Sequence, residues 1–180
     1  MARRRANKRL AAAAGIRHLM GMTDPNATPP ALSLRDFMPY CLAVTSNQVS
    51  RLVARAYQDR FGLTIWEWRV IALLGEAEPM TAQSLSDIAA MDKVSVSRAV
   101  KALVGRGLVD RAERKADRRS RDLRLTAAGH QIYREITPVA LGAEADLLTG
   151  LDEAEIAVLA VVLDKLRHRA AELLSAPTPD

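Results

Sequence analysis

Residues 92–109 read DKVSVSRAVKALVGRGLV, and the spacing of their apolar side chains decides how the rest of the chain is read. Val96, Ala99, Val100, Leu103 and Val104 recur at helical intervals and form one apolar face, while Ser95, Ser97, Arg98 and Lys101 fall on the other side. Such a helix packs by one face and offers the other to a partner. Asp92 is placed as an N-cap, and Gly105 and Gly107 stand where the helix ends and an extended segment opens at Leu108. A shorter helix precedes it, from about Thr81 to Ala89, with Leu85 and Ile88 as inward residues and Ala90 and Met91 in the connection. Two short helices joined by about three residues make a helix-turn-helix.

The segment that follows sets the subtype. DRAERKADRRSRD leads into LRLT, in which Leu123 and Leu125 alternate with Arg124 as in a half-buried strand. Two strands are predicted, over 108–113 and 120–126, joined by an arginine-rich turn. The expected fold is mostly α with a small β-hairpin wing: a winged helix-turn-helix with a helical dimerisation region.

Charge is distributed to match. The chain of 180 residues carries a net charge of +5, but residues 1–20 hold six basic side chains (Arg3, Arg4, Arg5, Lys8, Arg9, Arg17) and no acid. Residues 92–125 hold eleven basic and five acidic side chains, so the remainder is net acidic. Positive charge confined to an arm and a reading head is the footprint of phosphate neutralisation, and double-stranded DNA is the expected partner. The same runs also fit a merely solvated surface.

The three histidines, His18, His130 and His168, are scattered. No H-E-x-x-H, G-x-S-x-G or glycine-rich phosphate loop occurs, so no catalytic residue, cofactor or enzymatic activity is expected. Cys41 is the single cysteine, which leaves no internal disulfide, and no zinc spacing is present. The apolar stretch after the N-terminal arginines is interrupted by Arg17 and His18 and lacks a secretory core. No run approaches the ~20 residues needed to span a bilayer, and a cytoplasmic location is expected.

In chain order, residues 1–32 read as a basic arm and linker, with Pro, Asn and Thr between Asp24 and Pro30. The arm has a reading as a DNA contact in the minor groove and another as a solubilising tail. Ser33 to Asp36 resembles a capping box opening a helix to about Arg60, with Phe37, Cys41, Val44, Val49, Leu52, Val53 and Tyr57 as its apolar positions. Thr64 to Glu67 is a second box, before Ile65, Trp68, Ile71, Ala72 and Leu74, with Gly75 to Pro79 ending that helix. Thr126 opens a long helix to about Leu148 with Pro138 inside it, and Asp152 to Glu155 opens the last, with a stripe of Ile156, Leu159, Val162, Leu163 and Leu166. Residues 62–125 thus form the DNA-binding domain, and 33–61 with 126–176 a helical region. That region has more apolar surface than one small lobe needs, which predicts pairing with a second copy.

On SVSRAVKALVGRGLVDR, on Asp117 and Arg119 in the turn, on LTAAG at 125–129 and on GLTIWEWRVIALL at 62–74, the sequence resembles the MarR family of transcriptional regulators over roughly residues 34–174. The resemblance implies a homodimer built by the terminal helices, two recognition helices about one DNA turn (~34 Å) apart, and a pseudo-palindromic operator. It also implies repression relieved by a small-molecule effector, such as an aromatic carboxylate or its coenzyme A thioester.

Among the recognition-helix residues, Ser95 and Ser97 are candidates for phosphate contact, Lys93 for the backbone, and Arg98 and Lys101 for base edges. Arg98 has a second reading as a brace to the wing. In the wing, the family's pattern makes Asp117 the holder of Arg119, which it presents to the minor groove, with Arg118 beside it at the tip. Arg114, Lys115 and Arg121 are expected on phosphates. The family's ligand crevice directs attention to Tyr40, Trp66, Trp68 and Arg69, of which Trp68 and Arg69 have a competing reading as packing residues. Some family members sense peroxides through a cysteine near this position, but Cys41 has no cationic sequence neighbour to favour its thiolate, and a buried inert thiol is the preferred reading. A winged helix that contacts protein instead of DNA is the alternative outside this class.

Overall fold

The computed structural model describes residues 32–89, 91–113 and 121–176. The basic arm, Ala90, and the wing-tip residues Arg114, Lys115, Asp117, Arg118 and Arg119 lie outside the described residues. Those described form six helices and one two-stranded sheet: α1 (Met38–Phe61), α2 (Ile65–Glu76), α3 (Ala82–Ala89), α4 (Lys93–Gly105), β1 (Val109–Glu113), β2 (Arg121–Leu125), α5 (Ala127–Leu148) and α6 (Glu153–Ser175). The expected mostly helical fold with a small antiparallel wing is what is found. None of these helices is long and apolar enough to cross a membrane.

The chain divides at Leu52 into two compact units. In the first, Ser33 and Asp36 do not open a helix. The Asp36 amide donates to the Ser33 carbonyl at 3.0 Å and the Ser33 hydroxyl donates to the Asp36 carboxylate at 2.8 Å, which closes a turn. Helix α1 starts only at Met38, after Phe37 has accepted a hydrogen bond from the Cys41 amide at 3.1 Å. Phe37 is therefore outside the helix; it is exposed, and so are Val44 and Leu52 within α1.

The second unit holds the core. Tyr57, Leu63, Val70, Ile71, Leu74, Leu85, Val96, Leu103, Val109 and Ile136 are all but fully buried. The capping box expected at Thr64–Glu67 is formed, and a second stands at the helix start read at Asp152–Glu155. The Thr64 hydroxyl accepts from the Glu67 amide at 3.2 Å while the Glu67 carboxylate takes the Thr64 amide at 2.7 Å, and Asp152 and Glu155 do the same for α6. Trp68 stands between Tyr57, at 5.6 Å between ring centroids, and Tyr133, at 6.3 Å, so an aromatic row ties α1, α2 and α5. Burial pushes the Tyr57 hydroxyl up to about 12, against the opposing pull of the Arg69 guanidinium.

The helix pair turns sharply between α3 and α4. The buried Ser86 holds both sides of that turn: its hydroxyl donates to the Met91 carbonyl at 2.6 Å, and its own carbonyl accepts from the Met91 amide at 3.1 Å. Leu85 is buried as expected, but Ile88 is 60% exposed and does not point inward. Only one face of this two-turn helix meets the core, and Leu85 and Ser86 occupy it.

In the sheet Val109 pairs with Leu125, Arg111 with Leu123 and Glu113 with Arg121. A third segment extends it, since Met80 and Leu123 exchange two backbone hydrogen bonds of 3.2 and 2.8 Å. The start of α5 then packs directly on the strand entry. Thr126 caps α5, donates its hydroxyl to the Gly107 carbonyl at 2.7 Å and its amide to the Leu108 carbonyl at 3.1 Å. A Cβ on the buried Gly129 would collide with that Leu108 carbonyl, which is backbone and cannot swing aside. This is the physical content of the glycine in LTAAG. Gly129→Ala is expected to lower unfolding free energy by roughly 1–3 kcal/mol, read as a reduced denaturation midpoint at unchanged slope.

Candidate nucleic-acid interface

Helix α4 is held from beneath by Val96, Ala99, Val100 and Leu103, all buried. Its other side is left to solvent: Lys93, Val94, Ser97, Arg98 and Lys101 are exposed. Among the described residues Arg98 and Lys101 make no hydrogen bond or ion pair, so the bracing role weighed for Arg98 finds no partner there. The two stand one turn apart on the open face, with charge and reach uncommitted.

Ser95 behaves differently from its neighbours. Asp92 caps α4 by accepting the Ser95 amide at 2.8 Å, and the Ser95 hydroxyl donates to the second carboxylate oxygen at 2.5 Å. These bonds, the side-chain one first, hold the Asp92 carboxyl below the usual range. The single Ser95 hydroxyl proton is spent on the cap, so the structure brings Ser95 to the helix start as a positioning group rather than as an open phosphate donor. Ser97 remains exposed.

Between α3, α4 and the wing lies a cleft of about 490 Å³ lined by Thr81, Gln83, Lys93, Ser97, Arg111 and Arg121, with Val96, Val100 and Leu123 at its floor. Among the described residues three cations and no carboxylate line it. Lys93, Ser97 and Arg121 were legible in the sequence as DNA contacts; Thr81, Gln83 and Arg111 were not. Arg111 reaches the cleft because it shares a sheet face with Leu123 and Arg121, through the register Arg111 opposite Leu123 and Glu113 opposite Arg121. The signal available was its spacing of two residues from Val109, which puts both on one face of the strand. Thr81 caps α3, its hydroxyl accepting the Ser84 amide at 3.0 Å, so the cleft also opens on a helix start.

Not every arginine of this region serves that face. Arg106, just past α4, donates to the Phe61 carbonyl at 2.7 Å and the Gly62 carbonyl at 3.1 Å, tying the end of α4 to the end of α1. Glu78 is a further unforeseen brace, accepting the Leu125 amide at 2.8 Å and facing the His130 ring nitrogen at 3.1 Å.

The ligand candidates divide. Trp68 is half-buried in the aromatic row, whereas Trp66 is 43% exposed with the Arg69 guanidinium 5.2 Å above its ring. Tyr40 belongs to the first unit and is exposed there. In the same unit Cys41 is half-buried, its thiol donating to the Arg35 carbonyl at 3.2 Å. Among the described residues there is no cluster able to hold a metal ion.

If Arg111 and Arg121 neutralise phosphates, replacing either by Ala weakens binding to all duplexes alike. The slope of log affinity against log salt should fall by about 1 per residue removed. Titrations at several salt concentrations measure it, and an unchanged slope would take both residues off the backbone.

Residues 61–120 match the model of the MarR family. The transcriptional regulator TcaR of Staphylococcus aureus (strain Newman) is 25% identical over 128 residues, covering 68% of this chain and 84% of that protein. A MarR/EmrR family transcriptional regulator from Acinetobacter sp. ADP1 superposes with a TM-score of 0.73 at 29% identity, over 78% of this chain and 99% of that one. A MarR family protein from Listeria monocytogenes, solved with a 26mer DNA, shares the fold with a TM-score of 0.70 at 22% identity, over 84% and 99% of the two chains. These are regulators of transcription and not enzymes. With its helix-turn-helix matched by that family model and its order of elements shared over most of its length with these regulators, the chain is similar to the MarR family of DNA-binding transcriptional regulators.

Proposed function

We propose that this protein is a homodimeric repressor that binds a pseudo-palindromic operator and is released from it by a small molecule. The observation that carries the DNA part is the open face of α4 beside a cleft lined by the three cations Lys93, Arg111 and Arg121, and the Listeria relative was solved on DNA. Arg98 and Lys101 read base edges, Lys93, Arg111 and Arg121 hold phosphates, and the wing tip with Asp117 and Arg119 enters the minor groove.

The dimer reading is supported by α6. Val158, Leu159, Val161, Val162, Leu163, Leu166 and Leu173 are each more than 40% exposed, and no residue of the helix is buried. Its polar side pairs internally, Asp164 with Arg167 at 2.6 Å and Arg169 with Glu172 at 2.9 Å. Water does not tolerate so long an apolar stripe on a monomer, and a second copy supplies its cover. The two-fold relation then sets two α4 helices on successive major-groove faces.

The effector is an aromatic carboxylate or its coenzyme A thioester. Trp66 and Arg69 offer an exposed ring with a guanidinium against it, a match to a planar anion. The basic arm at residues 1–32 serves as an additional phosphate contact, and the protein acts in the cytoplasm, where its operator is.

The test is a titration on the duplex upstream of its own coding sequence, with random duplex as control and the stoichiometry measured. One dimer per site with sequence preference is expected. Arg98→Ala should cost roughly 1–3 kcal/mol on the operator and little on random DNA; equal losses on both would move Arg98 to the backbone. Adding an aromatic carboxylate should release DNA from the parent chain and not from Trp66→Ala. Cys41→Ser should leave that release unchanged, and a peroxide response lost with the thiol would make Cys41 the sensor instead.

A further inference from the structure

The open face of α4 contains one residue that neither charge nor capping explains. Val94 is the second residue of the helix and is 57% exposed. It lies on the same stripe as Ser97, Arg98 and Lys101, at the i, i+3, i+4 and i+7 spacing that aligns side chains on one helix face. Yet it has no polar atom to offer a phosphate, a base acceptor or water. A β-branched residue is also a poorer helix former than Ala, so the position is not filled for local stability.

On the reading of α4 as the helix that enters the major groove, the N-terminal residues of such a helix are those that meet base edges. There the groove presents donors and acceptors from every base pair and one apolar feature, the 5-methyl group of thymine. We propose that Val94 is a specificity-determining residue that selects thymine by contact between its methyl groups and that 5-methyl. Its stiff χ1 presents those methyls in one arrangement before DNA arrives, so little rotamer freedom is lost on contact. Four residues of helix separate it from Arg98, about 6 Å of rise. At ~3.4 Å per base step the selected thymine lies within about two base pairs of the base that Arg98 reads.

The experiment uses the full chain and synthetic duplex. A random-sequence duplex library is selected for binding, and the enriched sequence is then made with deoxyuridine in place of each thymine in turn. Deoxyuridine keeps the pairing and the O4 acceptor and lacks only the methyl. For the parent chain, one thymine per half-site should lose about fourfold in affinity on this change, the worth of one buried methyl group. That thymine should sit within two base pairs of the position whose discrimination disappears in Arg98→Ala. Val94→Ala should bind the thymine and uridine duplexes alike at that position, while Val94→Thr, which keeps a methyl and the branching, should still distinguish them. Both variants should melt with the parent, because Val94 is outside the core. An enriched sequence to which the parent binds equally with uridine at every thymine overturns the role of Val94 and leaves the regulator reading standing, as does persistent uridine sensitivity in Val94→Ala. A library from which no sequence is enriched removes the sequence-specific regulator, and Val94 with it.

Discussion

A two-stranded ribbon does not hold its shape in water unaided, and the wing of this protein is a two-stranded ribbon. What fixes it is the pair of backbone hydrogen bonds between Met80 and Leu123, which recruits the approach to α3 as a partial third strand. Glu78 adds a charge-assisted bond to the Leu125 amide from the same approach. Because Met80 immediately precedes the Thr81 cap of α3, the wing and the helix pair are set by one short segment. The basic cleft between them exists only while that segment holds, so its cations are prearranged in relation to α4 rather than gathered by the DNA.

The polar residues around α4 divide by what their hydrogen-bonding groups already touch. Asp92, Ser95, Arg106, Thr126 and Glu78 have partners inside the protein, and each ends or joins an element at a place where backbone groups would otherwise be exposed or unpaired. Arg98 and Lys101 have none among the described residues. This division matters energetically, because a side chain that gives up an internal bond to reach a phosphate gains only the difference between two bonds, whereas an uncommitted guanidinium gains the whole contact less its ordering entropy. Basic residues with similar sequence surroundings therefore differ widely in what they contribute to an interface.

That division is also where sequence reading stops. The helix pair, the start of α2 and the wing strands were legible because their signals are local: a helical stripe, a capping box, an alternation of two leucines. Within the recognition helix the separation of Arg98 from Val96 follows from periodicity alone. Arg106 had no assigned role in the sequence, because nothing near it reveals that its partners are the carbonyls of Phe61 and Gly62. Glu78 carries no local signal of its role, since its partners lie 47 and 52 residues away. Ser33 to Asp36 misled in the opposite sense: the residue types of a capping box are present, but the Asp36 carboxylate receives the Ser33 hydroxyl instead of reaching back to the Ser33 amide. A motif of residue types fixes which bonds are available, and the backbone beyond it decides which form.

The long-range braces have a further meaning for regulation. A ligand shifts a protein between two arrangements only through contacts that differ between them, so a ligand outside the reading head needs a stiff path into it. Arg106 fastens the end of α4 to the end of α1, and Thr126 with Glu78 and His130 fastens the wing strands to the start of α5. These are the points at which the two long helices enter the reading head, one by its recognition helix and the other by its wing. Displacement of the end of α1 and displacement of the start of α5 would therefore reach α4 and the wing through separate bonds.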